Sequence, residues 1–266
     1  MSNDAQRDFW RAQLNWVRMH EDSDAVLRAL DPFVLAPLVP GMRVLEIGCG
    51  AGGTTRRILE AVSPGGAAAA VDISEPFVEA ARARVPGAEI RVADAQSADL
   101  GGPYDACVSR LGTMFFEDTQ SAFANIRRAL EPGAPIAFLA WGPAEENPHF
   151  AMPRRVATQA LGPLDVSRPG APGPFGFADP AKPRRAAESA GFSDVAVERV
   201  AATLSHPEGV PGYARVMMAI GPVVGAMRER GASEAQRAAI AARIAEELEA
   251  MGGRVPALMH LVTARA

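Results

Sequence analysis

At 266 residues the chain has room for one large α/β domain, or for a core domain with a substantial insertion. With 48% hydrophobic and 22% charged residues it is neither a disordered chain nor a coiled coil. A net charge of −4 argues against a nucleic-acid face, which needs a clustered basic patch to displace counterions. The pairs Arg56-Arg57, Arg127-Arg128, Arg154-Arg155 and Arg184-Arg185 read as solvated surface. Cys49 and Cys107 show neither metal-ligand spacing nor a disulfide framework, which suggests a reducing compartment and no metal. The first eight residues are polar, unlike a signal peptide, and no apolar run approaches the ~18 residues a membrane span needs. The expectation is a cytoplasmic protein that works without membrane or nucleic acid.

Apolar residues recur at helical spacing over 26–38, and Pro40-Gly41 then breaks the chain. A short apolar run over 43–47 ends in glycines and reads as a buried strand opening a tight turn. Helix over 54–62, strand over 67–71 closed by Asp72, helix over 75–85 and strand over 89–92 closed by Asp94 follow in alternation. A fourth strand over 104–108, a helix over 120–130 and a fifth strand over 135–141 continue the pattern. Such alternation calls for a parallel sheet wound on both faces. Residues 142–180 are dense in proline and glycine and read as a long loop with one short helix over 154–161. A helix over 182–190 and strands over 194–200 and 258–264 complete the core, with a mostly helical insertion between those two strands. Its clearest helix runs over 233–251, opened by a Ser233/Gln236 capping box and stopped by Gly252-Gly253. The chain thus divides into N-terminal helices (1–40), a core (41–141) and two excursions (142–180 and 201–256). Both excursions can reach over the C-terminal sheet edge, where open α/β sheets bind ligands.

The loop Gly48-Cys49-Gly50-Ala51-Gly52-Gly53 is ambiguous by itself, because Gly48-x-Gly50-x-x-Gly53 also satisfies the dinucleotide fingerprint. Charge separates the alternatives. A dinucleotide brings a pyrophosphate to this turn, whereas S-adenosylmethionine brings a sulfonium and an ammonium group. Glu46, two residues before the first glycine, repels the one and suits the other. Asp72 at the end of the second strand fits the ribose of either ligand. Asp94 ends the third strand and is less expected in a nicotinamide enzyme. Three acids ending three successive strands weigh against mere loop capping.

On these residues the chain resembles the class I S-adenosylmethionine-dependent methyltransferases, in particular bacterial members acting on small molecules. Val44-Leu45-Glu46-Ile47-Gly48-Cys49-Gly50-Ala51-Gly52 looks like their motif I, Val71-Asp72-Ile73-Ser74 like their second-strand motif, and Ala93-Asp94-Ala95 like their third. The segment from Ser109 to Phe116, the helix end Ala129-Leu130-Glu131-Pro132-Gly133, and Ala190-Gly191-Phe192 are similar to later family segments. Trp10 and Trp16 resemble tryptophans ahead of the core in some relatives. The resemblance implies a doubly wound, seven-stranded mixed α/β sheet with the last strand antiparallel and helical lid insertions. It implies that Gly48, Cys49 and Gly50 approach the methionine portion of S-adenosylmethionine, with Glu46 facing its ammonium. Asp72 would hold the ribose, Ile73 the adenine face, and Asp94 and Ala95 the adenine edge. Ser109 and Arg110 would line the junction with the acceptor, and Trp16 would lie over the cofactor.

Methyl transfer from a sulfonium is in-line displacement on an activated donor, and positioning can supply about 7–11 kcal/mol of the barrier. A general base is needed only if the acceptor must lose a proton. Among the four histidines, His149 in Asn147-Pro148-His149-Phe150 is placed by the chain order above the sheet edge and is the candidate base. Phe150, Met152, Phe175, Phe177, Tyr213, Met217 and Met218 are candidates for lining an apolar pocket or for lid core. The expected activity is methylation of a small-molecule acceptor with release of S-adenosylhomocysteine, by a monomer or homodimer. A nicotinamide oxidoreductase and a protein that binds S-adenosylmethionine without transferring methyl are the alternatives.

Overall fold

A computed structural model describes residues 3–164 and 170–266; residues 1–2, and residues 165–169 of the 142–180 excursion, lie outside the described residues. Four short helices come first: α1 (Asp4–Arg11), α2 (Leu14–Arg18), α3 (His20–Leu27) and α4 (Asp31–Leu35). Then follow β1 (Arg43–Ile47), α5 (Gly53–Val62), β2 (Ala67–Asp72), α6 (Glu75–Arg84), β3 (Glu89–Val92), β4 (Ala106–Arg110), α7 (Thr119–Arg128) and β5 (Pro135–Trp141). The second half carries α8 (Pro148–Leu161), α9 (Ala181–Ser189), β6 (Ser193–Leu204), α10 (Gly209–Ala219), α11 (Pro222–Glu229), α12 (Glu234–Ala250) and β7 (Val255–Arg265).

The strands form one seven-stranded sheet in the order β3-β2-β1-β4-β5-β7-β6. The first five are parallel, and β7 runs antiparallel between β5 and β6. This is the expected doubly wound mixed sheet. Strands covered by helices on both faces read as continuous apolar runs, and Val44, Leu45 and Ile47 of β1 are all buried. Glu46 is buried among them and is the chemical exception. In β2 the run from Ala67 to Ala70 forms a strand although alanine favours helix; burial against both helical layers overrides local propensity.

Three elements differ from the sequence-based expectation. The helix over 26–38 is divided into α3, a 3₁₀ turn (Arg28–Leu30) and α4, because Pro32 suits a helix's first turn and cannot extend the helix before it. Strand β4 begins two residues late: Tyr104 makes only an isolated bridge to Leu130, and pairing continues through Ser109 and Arg110. Helix α8 starts at Pro148 rather than Arg154, with Pro148 again at a first-turn position. His149 is therefore on a helix rather than a loop. The predicted cap of α12 forms in full: Ser233 Oγ accepts the Gln236 N–H at 3.2 Å and Gln236 Oε1 accepts the Ser233 N–H at 2.9 Å. Among the described residues no single helix is long and apolar enough to cross a membrane; α10 and α11 pass that test only as a pair bent by 48°.

Strand order reverses between β1 and β4, so the loops after them diverge and open a crevice at the C-terminal edge. The N-terminal helices, α8, α10 and α11 contribute to its walls.

Candidate functional site

The glycine turn after β1 forms one wall. Gly48, Gly50 and Gly52 have φ of +71°, +52° and +81°, and α5 begins at Gly53. Left-handed backbone of this kind strains any L side chain. Space adds a second reason at Gly48, where a Cβ would lie 2.8 Å from the Gly112 Cα. The amides of Gly48 and Cys49 both donate to the Val71 carbonyl, at 2.8 and 3.2 Å, tying the turn to β2. Asp72 closes it: Oδ2 accepts the Gly50 N–H and Oδ1 the Ser74 N–H, both at 2.9 Å. Each oxygen retains acceptor capacity towards the cavity. Burial, which outweighs these backbone bonds, raises the pKa of Asp72. Asp94, at the end of β3, accepts the Gln96 N–H at 3.0 Å and the Asn3 amide at 3.3 Å. Ile73, Asp94 and Ala95 line the same cavity as Asp72.

Glu46 lies beneath the turn, where Thr55 Oγ1 donates to its Oε2 at 2.5 Å. Desolvation pushes this carboxyl up to about 7. An ion-pair network surrounds it. Arg110 donates to Asp31 and to Asp24, each at 2.8 Å, and Arg57 bridges the same two aspartates. Arg84 reaches Asp24 at 3.3 Å. The guanidiniums beside Asp24 hold its carboxyl well below the usual carboxylate range despite its burial. Asp24 also leaves no room for a Cβ on Gly53. Arg110 is thus on the cavity wall, as expected, with its guanidinium committed to two aspartates.

Ser109 departs from expectation. It is fully buried and is not among the lining residues. Its Oγ donates to the Ile47 carbonyl at 2.8 Å and accepts the Gly112 N–H at 3.2 Å. Side chains alternate faces along a strand, so Ser109 pins the β4 loop against the glycine turn while Arg110 faces the opening.

Aromatic rings from the N-terminal helices cover the glycine-turn side of the cavity. Trp16 lines the cavity 6.2 Å from Trp10, which packs edge-on against Phe77 at 6.0 Å and Phe115 at 4.9 Å. The opposite end, beyond β4 and β5, is built from the two excursions. His149 stacks on Trp141 (5.3 Å, 6° between planes), and Phe150 packs edge-on against Trp141 and Phe175. Asn147 fixes the start of α8: its Oδ1 accepts the Leu258 N–H at 2.9 Å and its amide donates to the Leu258 carbonyl at 3.1 Å. The structure sorts the apolar candidates. Phe150, Phe175 and Met217 line the cavity, while Met152, Phe177 and Tyr213 are buried in the hydrophobic core and Met218 packs against it.

Tyr213 sits behind His149, its hydroxyl 2.9 Å from His149 Nδ1. Burial lowers His149 to about 4 and raises Tyr213, so both are neutral at pH 7. The whole space measures about 710 Å³, within the ~300–1,000 Å³ usual for small-molecule sites. Among the described residues no group of three or more His, Cys, Asp or Glu is placed to hold a metal ion.

Several residues of this site carry no local sequence signal. Asp24 and Asp31 meet Arg110 across 86 and 79 residues, and Tyr213 meets His149 across 64. Gly112 does carry one, since a glycine just after a strand beside a glycine turn marks close backbone approach.

Residues 44–133 match the family model described as a methyltransferase domain. Nocamycin O-methyltransferase of Saccharothrix syringae is 30% identical over 180 residues, covering 65% of this chain and 56% of that protein. Trans-aconitate 2-methyltransferase of Methylobacterium nodulans is 32% identical over 129 residues, 48% of this chain and 49% of that protein. The chain spans about half the length of these curated relatives. Among solved structures, the mycolic acid cyclopropane synthase CmaA1, complexed with S-adenosylhomocysteine, superposes with a TM-score of 0.52 at 18% identity over 90% of this chain and 84% of that one. The cyclase SpnF gives 0.53 at 18% identity over 89% and 80%. These two likenesses concern the fold. Residues 44–133 therefore resemble a methyltransferase domain, and the sheet that carries them has the fold of these solved structures.

Proposed function

We propose that the protein transfers a methyl group from S-adenosylmethionine to a small, largely apolar acceptor. The observation that carries this reading is one continuous cavity that holds both the acids around the glycine turn and the rings of Trp141, Phe150 and Phe175. The residues present fit the cofactor. Gly48 and Gly50 form a cradle that a Cβ would strain, Asp72 has acceptor capacity to spare for ribose hydroxyls, and the buried Glu46 suits an ammonium group. The same carboxylate disfavours the pyrophosphate of a nicotinamide cofactor. Cys49, Ile73, Asp94, Ala95, Arg110 and Trp16 complete the cofactor wall in this reading, with Ser109 supporting it from behind. When bound, S-adenosylmethionine supplies a methyl group on a sulfonium, whose sulfur keeps the electron pair of the bond that breaks. The chain's own part is to bind, orient and exclude water.

In the same reading, residues 41–141 are the cofactor-binding core, 1–40 its cover, and 142–180 with 201–256 the acceptor-binding lid. The protein acts as a monomer or homodimer in the reducing cytoplasm, consistent with two buried free cysteines, and needs neither nucleic acid nor membrane.

Calorimetric titration should give S-adenosylmethionine binding, and incubation with acceptors should release S-adenosylhomocysteine. Binding without release from any acceptor would favour the non-transferring alternative. Asp72→Ala should weaken binding about ten- to hundredfold, the worth of one hydrogen bond to a charged group at about 1.5–3 kcal/mol. Unchanged affinity in that variant would remove Asp72 from the ribose site.

A further inference from the structure

The cavity wall carries two histidines, His149 and His20, whose ring protons are fixed in opposite ways. Tyr213 is fully buried, and the only partner its hydroxyl has among the described residues is His149 Nδ1. A buried O–H left without an acceptor costs about 1–3 kcal/mol, so Tyr213 donates and Nδ1 accepts. The ring then carries its proton on Nε2. What His149 presents beyond its own bond is a donor, not a lone pair.

His20 is the reverse case. It opens α3, and its Nδ1 lies 2.8 Å from the Val17 carbonyl oxygen. A carbonyl has no proton to give, so Nδ1 must carry one and donate it. In the neutral ring Nε2 is therefore a lone pair. Neither histidine's Nε2 has a protein partner among the described residues, and neither is sealed from the cavity or solvent. His20 lies one helical turn before Asp24, whose carboxylate abuts the start of α5 at the glycine turn. That places it at the methionine end of the cofactor wall, with Trp16, Val216 and Ile220 among the other lining residues. The carboxylates on the cavity wall belong to the cofactor half: Glu46 is bonded to Thr55, Asp72 and Asp94 to backbone amides, and Asp24 to arginines.

We propose that His20 Nε2 is the proton acceptor for the reacting group, and that His149 Nε2–H is a donor that orients the acceptor. The acceptor is then an apolar molecule bearing a neutral hydroxyl. This rests on the methyl-transfer reading above. The step balances simply. The hydroxyl oxygen forms the bond to the methyl carbon, the carbon–sulfur bond breaks with its pair left on sulfur, and the hydroxyl proton passes to His20 and then to water. Orientation of a base through Nδ1–H to a backbone carbonyl also fixes which nitrogen reacts.

Nitrogen-15 NMR of the histidine-labelled protein tests the assignment without any acceptor. His20 should show a protonated Nδ1 and a bare Nε2, and His149 the opposite pattern. A bare Nε2 on His149 overturns the proposal, whether or not the protein binds S-adenosylmethionine. The kinetic arm uses 2-naphthol and S-adenosylmethionine. His20→Asn keeps an amide donor at the Nδ1 position for Val17 and removes only the far nitrogen. It should lower kcat about a hundredfold, as loss of a general base does. His20→Ala should regain part of its lost kcat on addition of free imidazole, which a purely structural role would not permit. His149→Phe should instead raise KM, and free imidazole should not restore it. A His20→Asn enzyme with wild-type kcat, no rescue by imidazole, or failure of the wild type to methylate 2-naphthol while binding S-adenosylmethionine would each count against it.

Discussion

The two halves of the cavity are built from different materials. The glycine-turn half, which we propose holds the cofactor, is largely backbone: left-handed glycines, two amides on the Val71 carbonyl, and an aspartate clasping the turn through Gly50. Its strand-end elements come from one stretch, residues 46–95. The opposite half is side chains from distant segments, Trp141 from the end of β5, His149 from one excursion and Val216, Met217 and Val224 from the other. A ligand common to a whole fold class is met by geometry that only a few residues can supply, while a variable ligand is met by packing that many sequences can supply. The first half should therefore break sharply on substitution, and the second should shift what it accepts.

The largest effect is expected at Gly48. Gly48→Ala forces left-handed backbone onto a side chain and drives a Cβ to 2.8 Å from Gly112. Strain of about 1–3 kcal/mol plus that contact should weaken S-adenosylmethionine binding about a hundredfold by calorimetry, with the far-ultraviolet circular dichroism of the sheet retained. Next comes the contrasting substitution, Val224→Phe, which fills the aromatic half. Overpacking of about 1–3 kcal/mol should raise the acceptor KM about tenfold or more. S-adenosylmethionine affinity should stay within about twofold of wild type, since α11 is no part of the glycine wall. A parallel loss of cofactor affinity would show that the halves are coupled.

The smallest effect is one of pH. Glu46 titrates at about 7 because it is desolvated, and a cationic ligand favours its ionised form. S-adenosylmethionine affinity should rise about tenfold between pH 6 and pH 8 and be flat in Glu46→Gln. For the folded protein alone the sign is opposite. The folded state holds this proton above the unfolded pKa of 4.5, so Glu46 lowers stability as pH rises from there through about 7. Thermal melts over that range should show a decline that Glu46→Gln removes.

What was legible follows the same division. β1, β2 and β5 stand where the apolar runs stand, because parallel strands buried on both faces need largely apolar sequence, and glycines with a following acid mark a turn that must adopt positive φ. Where periodicity was weak, the reading was incomplete. The proline-rich excursion hid the first half of α8, since Pro148 and Pro153 look like breakers although the first sits where a helix tolerates proline. Ser109 was read by its place at a strand end, but the pleat turns it inward and Arg110 outward.

By itself, then, the amino-acid sequence determined most of the strands, the glycine turn and the acids around it, because these are written in short local runs of residue type. Tertiary structure alone decided that Asp24 and Asp31 arrive from the N-terminal helices to hold Arg57 and Arg110. It alone placed Tyr213 behind His149 and the Val17 carbonyl beside the His20 ring within a shared cavity. Which nitrogen of a histidine carries the proton is set by the partner it meets. For His149 that partner lies 64 residues away, joined by packing that no local pattern encodes.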